Sequence, residues 1–255
     1  LAGIIYKQYF FAKSRAGLFF VASLLFSALV MTFSRAPYLG LIVAVVFFYL
    51  AHNRFNAFKW VVMFAKFVPI FVMMLVTVSL VTMRNIPGLL WERIYSATQI
   101  GYDFSVLERF TMIVTQFNIL KSYPVLGVGI GNFGFYYLDF KPEWGFAFAE
   151  LGTSFFSPQN VFGQVMAETG LLGIVLFCSM LLQVVRMGLK TYRCSNSALH
   201  KACSLGLVSG FVGYMTTLLA VGCFYNLPFM WVLMGLIVAQ YRLQKNSWAN
   251  GLVKN

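Results

Sequence analysis

The stretch that decides the fold runs from Ser157 to Val185, SPQNVFGQVMAETGLLGIVLFCSMLLQVV. Ser157 suits a helix N-cap and Pro158 the first helical position, where its missing N–H costs nothing. Val161–Val185 then supplies enough apolar residues to cross a bilayer core, which takes about 20. The polar residues at its start do not stop at the cap. Asn160, Gln164 and Glu168 are spaced by four and share one helical face, so a straight helix would put Glu168 about 12 Å below Asn160. An acid at that depth must face a bundle interior or a wet cavity, which marks it as a candidate functional group; pairing with another polar side chain is the structural alternative.

Five further stretches read as membrane helices: Ala16–Phe33, Pro37–Ala51, Trp60–Val81, Ala202–Val221 and Leu227–Tyr241. The expected fold is all-α, a polytopic membrane bundle of about six transmembrane helices with a large extracytoplasmic loop carrying short amphipathic helices. Residues 1–81 hold the first helices, 82–158 the loop, 159–241 the last three helices and 242–255 a tail. Composition agrees: of 255 residues, 60% are hydrophobic and 10% charged, with mean hydropathy +0.78, whereas soluble domains are near a quarter charged. The chain opens on Leu1-Ala2-Gly3-Ile4-Ile5-Tyr6, an apolar stub that reads as the tail of a helix whose beginning is missing.

The net charge of +12 does not point to nucleic acid, because the charges are sorted by loop. All seven acids lie between positions 92 and 168. Lys7, Lys13 and Arg15 precede the first span; His52, Arg54 and Lys59 follow the second; Arg186, Lys190, Arg193 and Lys201 follow the fourth; Arg242, Lys245 and Lys254 follow the sixth. Short basic loops face the cytoplasm, so both termini are expected there and the long loop outside. Lys66, inside the third span, is within snorkelling reach of the cytoplasmic edge. Cys178, Cys194, Cys203 and Cys223 form no CxxC pair, and with His52 and His200 the only histidines, no metal site is expected.

Within the loop, Ser105-Val-Leu-Glu108 has the S-x-x-E form of a capping box. Val106, Phe110, Ile113, Phe117 and Leu120 then recur every three or four residues before Pro124. This predicts an amphipathic helix over Leu107–Ser122, lying on the membrane face or packed on the bundle. A second short helix is expected around Leu90–Gln99. Next comes Gly127–Gly134, GVGIGNFG, whose GIGNFG matches G-x-G-x-x-G. That fingerprint binds dinucleotides only between a strand and a helix; here it follows a helix and a proline, so no nucleotide is expected. Gly129 and Gly131 either let backbone N–H groups approach an anionic or sugar ligand or form a plain tight turn. Arg35, in the hairpin Thr32–Tyr38, is either an anchored cation for a lipid phosphate or an ordinary interfacial arginine. For Arg109, in the first turn of the loop helix, the choices are a solvated surface residue and a phosphate ligand.

Three blocks, TFSRAPYLGL (Thr32–Leu41), Glu108–Phe133 with its ERF and YPVLGVGIGNF, and QNVFGQVMAETGLLGIVLF (Gln159–Phe177), resemble in order the core of the O-antigen ligase/polymerase family. The resemblance implies the C-terminal portion of a bacterial inner-membrane glycosyltransferase. It would move a glycan from an undecaprenyl-diphosphate-type polyprenyl carrier to a glycan or lipid acceptor hydroxyl during polysaccharide biosynthesis, on the outer face, with no cofactor or metal. Arg35 and Arg109 match family arginines and would bind the diphosphate; Asn160, Gln164, Gly129 and Gly131 would contact substrate. The family's ligases carry His-Asn where this chain has Gln159-Asn160. Gln cannot titrate and so cannot be a general base. Either Gln159 only positions the acceptor, or Glu168 or Glu150 takes the proton, or the chain is inactive; the change leans away from a lipid A-core ligase and toward a polymerase or exopolysaccharide-type member. A transporter or flippase of lipid-linked sugars is the alternative, but it needs a polar track through to the cytoplasmic side, and here the polar face ends at Glu168-Thr169.

Overall fold

The computed structural model describes residues 15–32, 34–52, 88, 104–145, 158–220 and 227–249. Among these every regular element is a helix: α1 (Arg15–Met31), α2 (Arg35–His52), α3 (Phe104–Ser122), α4 (Phe133–Phe140), α5 (Val161–Cys194), α6 (Ala198–Thr217) and α7 (Pro228–Ala249). Five of the six expected spans are thus helical; Trp60–Val81 lies outside the described residues, as does the short helix at Leu90–Gln99. Val161–Cys194 is the one described helix long and apolar enough to cross a membrane, and Ala36–His52 is a shorter apolar helix. α7 continues past Tyr241 to Ala249.

α2 and α6 cross at glycines. A methyl on Gly40 would stand 2.6 Å from the Gly213 carbonyl oxygen and 2.3 Å from Thr217 Oγ1, and one on Gly213 would stand 2.6 Å from Ala44 Cβ. Small residues four apart on each helix let two backbones meet where lipid offers no hydrophobic drive. The pairing of Gly40 with Thr217 and of Ala44 with Gly213 makes the helices antiparallel. At the far end, His52 Nδ1 lies 2.9 Å from the Tyr192 hydroxyl, joining α2 to the foot of α5. α5 turns into α6 through Ser195–Ser197, and Ser204 Oγ donates to the Gly188 carbonyl (2.7 Å). Phe177, Leu181, Val184, Val208, Phe211, Met230 and Ile237 fill the core between α5, α6 and α7.

α5 is not straight. Gly170 has φ 66° and ψ −163°, a region only glycine occupies readily. The break is closed by the segment after α3. Val128 and Gly129 N–H donate to the carbonyls of Ala167 (3.1 Å) and Glu168 (2.9 Å), while Leu171 and Leu172 N–H donate to those of Pro124 (2.9 Å) and Val125 (3.3 Å). Backbone groups that a continuous helix would pair internally are thus paired externally. The bend follows from two contacts: Gly188 abuts Val208, and Val161 N–H donates to Leu218 O (3.2 Å). At about 1.5 Å per residue a straight α5 would hold Val161 about 40 Å from Gly188, but Val208 and Leu218 are only about 15 Å apart along α6. The arm Val161–Thr169 therefore folds back over the end of the bundle.

The break lies just beyond Glu168, and the arm sets its surroundings. The arm is buried on its inner side through Val161, Gln164, Val165, Ala167 and Glu168, and exposed apolar residues begin only after the break, at Leu171, Leu172, Val175 and Leu176. Glu168 belongs to the buried arm before the break, in a layer capping the bundle, and not to the exposed apolar run after it. α5 starts at Val161 as expected, but with a different cap. Its N-cap is Asn160, not Ser157, which lies outside the described residues.

α3 begins at Phe104, ahead of the expected Leu107. The side that packs inward carries Thr111, Met112, Thr115, Gln116 and Ile119, whereas Phe110 (56% exposed) and Phe117 (51%) look outward. The apolar stripe is not what docks the helix on the bundle. α4 contributes Phe133 and Tyr137 to the inward layer, against Met112, Ile119 and Ala167.

Candidate functional site

The capping layer brings together two elements about 50 residues apart in sequence. Asn160 is extended (φ −151°, ψ 114°), and its Oδ1 accepts from Phe162 N–H (3.0 Å) and Gly163 N–H (3.3 Å). With the cap supplied by Asn160, the Gln159 side chain reaches across to α3. Its Nε2 donates to Glu108 Oε1 at 2.5 Å, and its Oε1 accepts from Arg109 Nε at 3.4 Å. A carboxamide has both a donor and an acceptor, so one side chain bridges an acid and a guanidinium. α3 already begins at Phe104, so Ser105 lies within the helix and not at the N-cap of the expected capping box, and Glu108 meets Gln159. The terminal nitrogens of Arg109 make no hydrogen bond among the described residues and present a donor fork suited to phosphate oxygens.

The close approach of α3 to the arm depends on Gly163, where a Cβ would fall 1.9 Å from Gln116 Oε1. Gln116 is 1% exposed, and its Nε2 has no hydrogen-bond partner among the described residues. Burial pushes the Glu108 carboxyl above its usual range, and the Arg109 charge opposes this. Tyr137, fully buried on α4, is pushed up to about 12, first by burial and then by the Glu108 charge. It stays a neutral hydroxyl at any physiological pH.

Arg109 and Gln159 are in contact, with Asn160 beside them. Gln164 Nε2 donates to Glu168 Oε1 at 3.2 Å, and Glu168 is 3% exposed. The Gly129 N–H is bonded to the Glu168 carbonyl, so Gly129 acts in closing the break. Gly131, at φ 79°, has open space where a Cβ would stand. The GIGNFG run lies between two helices, with no strand on either side. Arg35 is the first residue of α2. The antiparallel crossing at Gly40 and Gly213 puts that end of α2 beside the end of α6 that meets Val161, at the site end of the bundle. Its side chain lies outside the described residues, as does Glu150.

Glu108 as the partner of Gln159 was not foreseen from sequence; its adjacency to Arg109 was the only local signal. The sequence does carry a hint of the break, a glycine within a helical pattern. Among the described residues no three His, Cys, Asp or Glu side chains are placed to hold a metal ion.

Two further observations come from comparison with known proteins. A family model described as O-antigen ligase matches residues 20–178, more than half of the chain, from α1 through the bend and into the apolar run of α5. No curated protein and no solved structure matches the chain.

Proposed function

This chain belongs to the O-antigen ligase family, and we propose that it is a membrane glycosyltransferase of surface-polysaccharide assembly. It would transfer a glycan from a polyprenyl-diphosphate carrier to an acceptor hydroxyl. The observation that carries the proposal is the Glu108–Gln159–Arg109 network at the end of the bundle where α2 begins with Arg35. In the transfer, the acceptor oxygen attacks the anomeric carbon and the bond from that carbon to the diphosphate oxygen breaks. The acceptor proton goes to Glu108, and the negative charge left on the diphosphate is met by Arg109 and Arg35. Fixed cations at the point where charge develops lower the barrier without rearranging. Gln159 orients Glu108 and the acceptor and takes no proton.

Glu108 suits the proton-accepting role better than Glu168, whose carboxyl is buried and bonded to Gln164. A carboxyl raised by burial is also a stronger base than a free one. Orientation follows from charge. Arg186, Lys190, Arg193 and Lys201 cluster at the α5–α6 turn, away from the site, so that end is taken as cytoplasmic and the site as extracytoplasmic, in a bundle of about six spans. The helix break at Gly170 brings the transporter reading back into view, because transporters bind solutes at such breaks. Here the freed groups are bonded to the chain's own residues 124–129, which favours a structural use.

The test is transfer from a lipid-diphosphate-linked glycan in membranes carrying Arg109→Ala or Arg35→Lys. Each variant is expected to lose about 10²–10³-fold in rate with insertion unchanged. Lys is a point charge and cannot reproduce a bidentate contact. Wild-type rates in both would remove the diphosphate assignment.

A further inference from the structure

Five outward positions on α3 follow one another at helical spacing: Leu107, Phe110, Val114, Phe117 and Lys121. Leu107, Phe110 and Phe117 are exposed, and Phe110 stacks on exposed Trp144 with ring centroids 5.7 Å apart. The helical path continues for one turn beyond Ser122, since Gly127 N–H donates to Tyr123 O and Tyr123 N–H to Ile119 O. Val125, four residues past Lys121, extends the stripe and is exposed, as is Leu126. The opposite side of α3 is occupied by α4 and the arm of α5, and among the described residues the only ring stacked on the stripe is the exposed Trp144.

What covers it is settled by what it joins. The Pro124 and Val125 carbonyls accept from Leu171 and Leu172 N–H, the first residues of the exposed apolar run that continues through Val175 and Leu176. In a family of integral membrane proteins that run faces lipid. Val125 and Leu126 sit at its upper margin, and the α3 stripe is continuous with them. We infer that α3 lies in the interfacial plane of the leaflet on the site side, with Phe110, Phe117, Val125 and Leu126 in the acyl boundary and Trp144 at headgroup level. An interfacial helix of this kind buries its apolar face about 5–10 Å below the headgroups, and Lys121 suits anionic headgroups. Arg109, next to Phe110, is then held at the height of the lipid phosphates. The inference rests on membrane integration and not on the transfer chemistry.

The full chain, with Cys178, Cys194, Cys203 and Cys223 replaced by Ser and Phe117→Cys labelled with an environment-sensitive nitrobenzoxadiazole, is reconstituted in phosphatidylcholine–phosphatidylglycerol vesicles. Quenching by lipid carrying a nitroxide near the top of its acyl chain is expected to exceed quenching by aqueous iodide several-fold. A label-free counterpart compares wild type with Trp144→Phe in brominated lipid, the difference being the Trp144 signal; lipid quenching of that signal is expected. Access to iodide alone overturns the inference, and so does protection from both quenchers, as a protein cover would give. Neither result depends on whether the chain transfers a glycan.

Discussion

Two of the glycine-lined contacts in this molecule use glycine for opposite ends. At the α2–α6 crossing, Gly40 and Gly213 bring two intact helices into contact, and each helix keeps its own hydrogen bonds. The gain is packing, the kind of association open to helices in lipid. At the junction between residues 124–129 and α5, Gly127 and Gly170 both have positive φ, and a methyl on either would strike the other segment's backbone. Here glycine lets a helix open and exchange hydrogen bonds with a loop. The first contact fixes the distance between spans. The second turns a helix end over the bundle and sets Gln159 against Glu108 and Arg109.

If this contrast is right, the junction is the more fragile of the two. Gly170→Ala places a side chain in a glycine-only conformation, about 1–3 kcal/mol, and 2.3 Å from the Val125 carbonyl oxygen. A loss of at least about 3 kcal/mol is expected, on the order of 10 °C in apparent melting temperature, together with protease cleavage appearing around residues 123–132. An unchanged melt with no new cleavage would mean that the exchange does not hold the bend. Gly213→Ala is expected to cost about 1–3 kcal/mol through overpacking, a fall of a few degrees, while the remaining folded protein keeps its transfer rate. Loss of transfer in step with Gly170→Ala would erase the distinction between scaffold and site.

Glu108→Gln should have the smallest effect on stability and a large one on chemistry. The folded carboxyl titrates above its usual 4.5, so between that value and the raised one the folded state holds the extra proton. Ionising Glu108 as pH rises therefore costs stability, and the neutral amide is expected to leave the melt at pH 7 unchanged or slightly higher. Transfer by the wild type should fall as pH drops through the raised value, because only the carboxylate accepts a proton. The variant is expected to lose that limb along with about 10²–10⁴ in rate. A retained acid limb in Glu108→Gln would assign the proton to another group.

Much of the helical order was legible along the chain. The expected loop helix at Leu107–Ser122 is α3, and five expected spans are helices, because apolar spacing reports which residues share a face. What periodicity does not report is the medium against that face. The stripe through Phe110 and Phe117 was read in the correct register, yet α3 packs inward through Thr111, Thr115 and Gln116. Gln116 keeps a buried amide nitrogen without a partner among the described residues, where Gly163 lets the backbones close. The family blocks around Arg35, Glu108-Arg109 and Gln159-Asn160 were likewise visible as a pattern in order.

Composition, the sorting of acids from bases and the three ordered blocks were enough to determine an all-helical chain of the O-antigen ligase family and the residues most worth testing. Local spacing carries that information because each helix answers to its own neighbours. Only the tertiary structure decided that α5 breaks at Gly170, that Glu168 belongs to a capping layer, and that Glu108 meets Gln159. Each of these depends on a backbone or side-chain partner some 40 to 50 residues away, and pairing across such a separation leaves no periodic trace in the intervening chain.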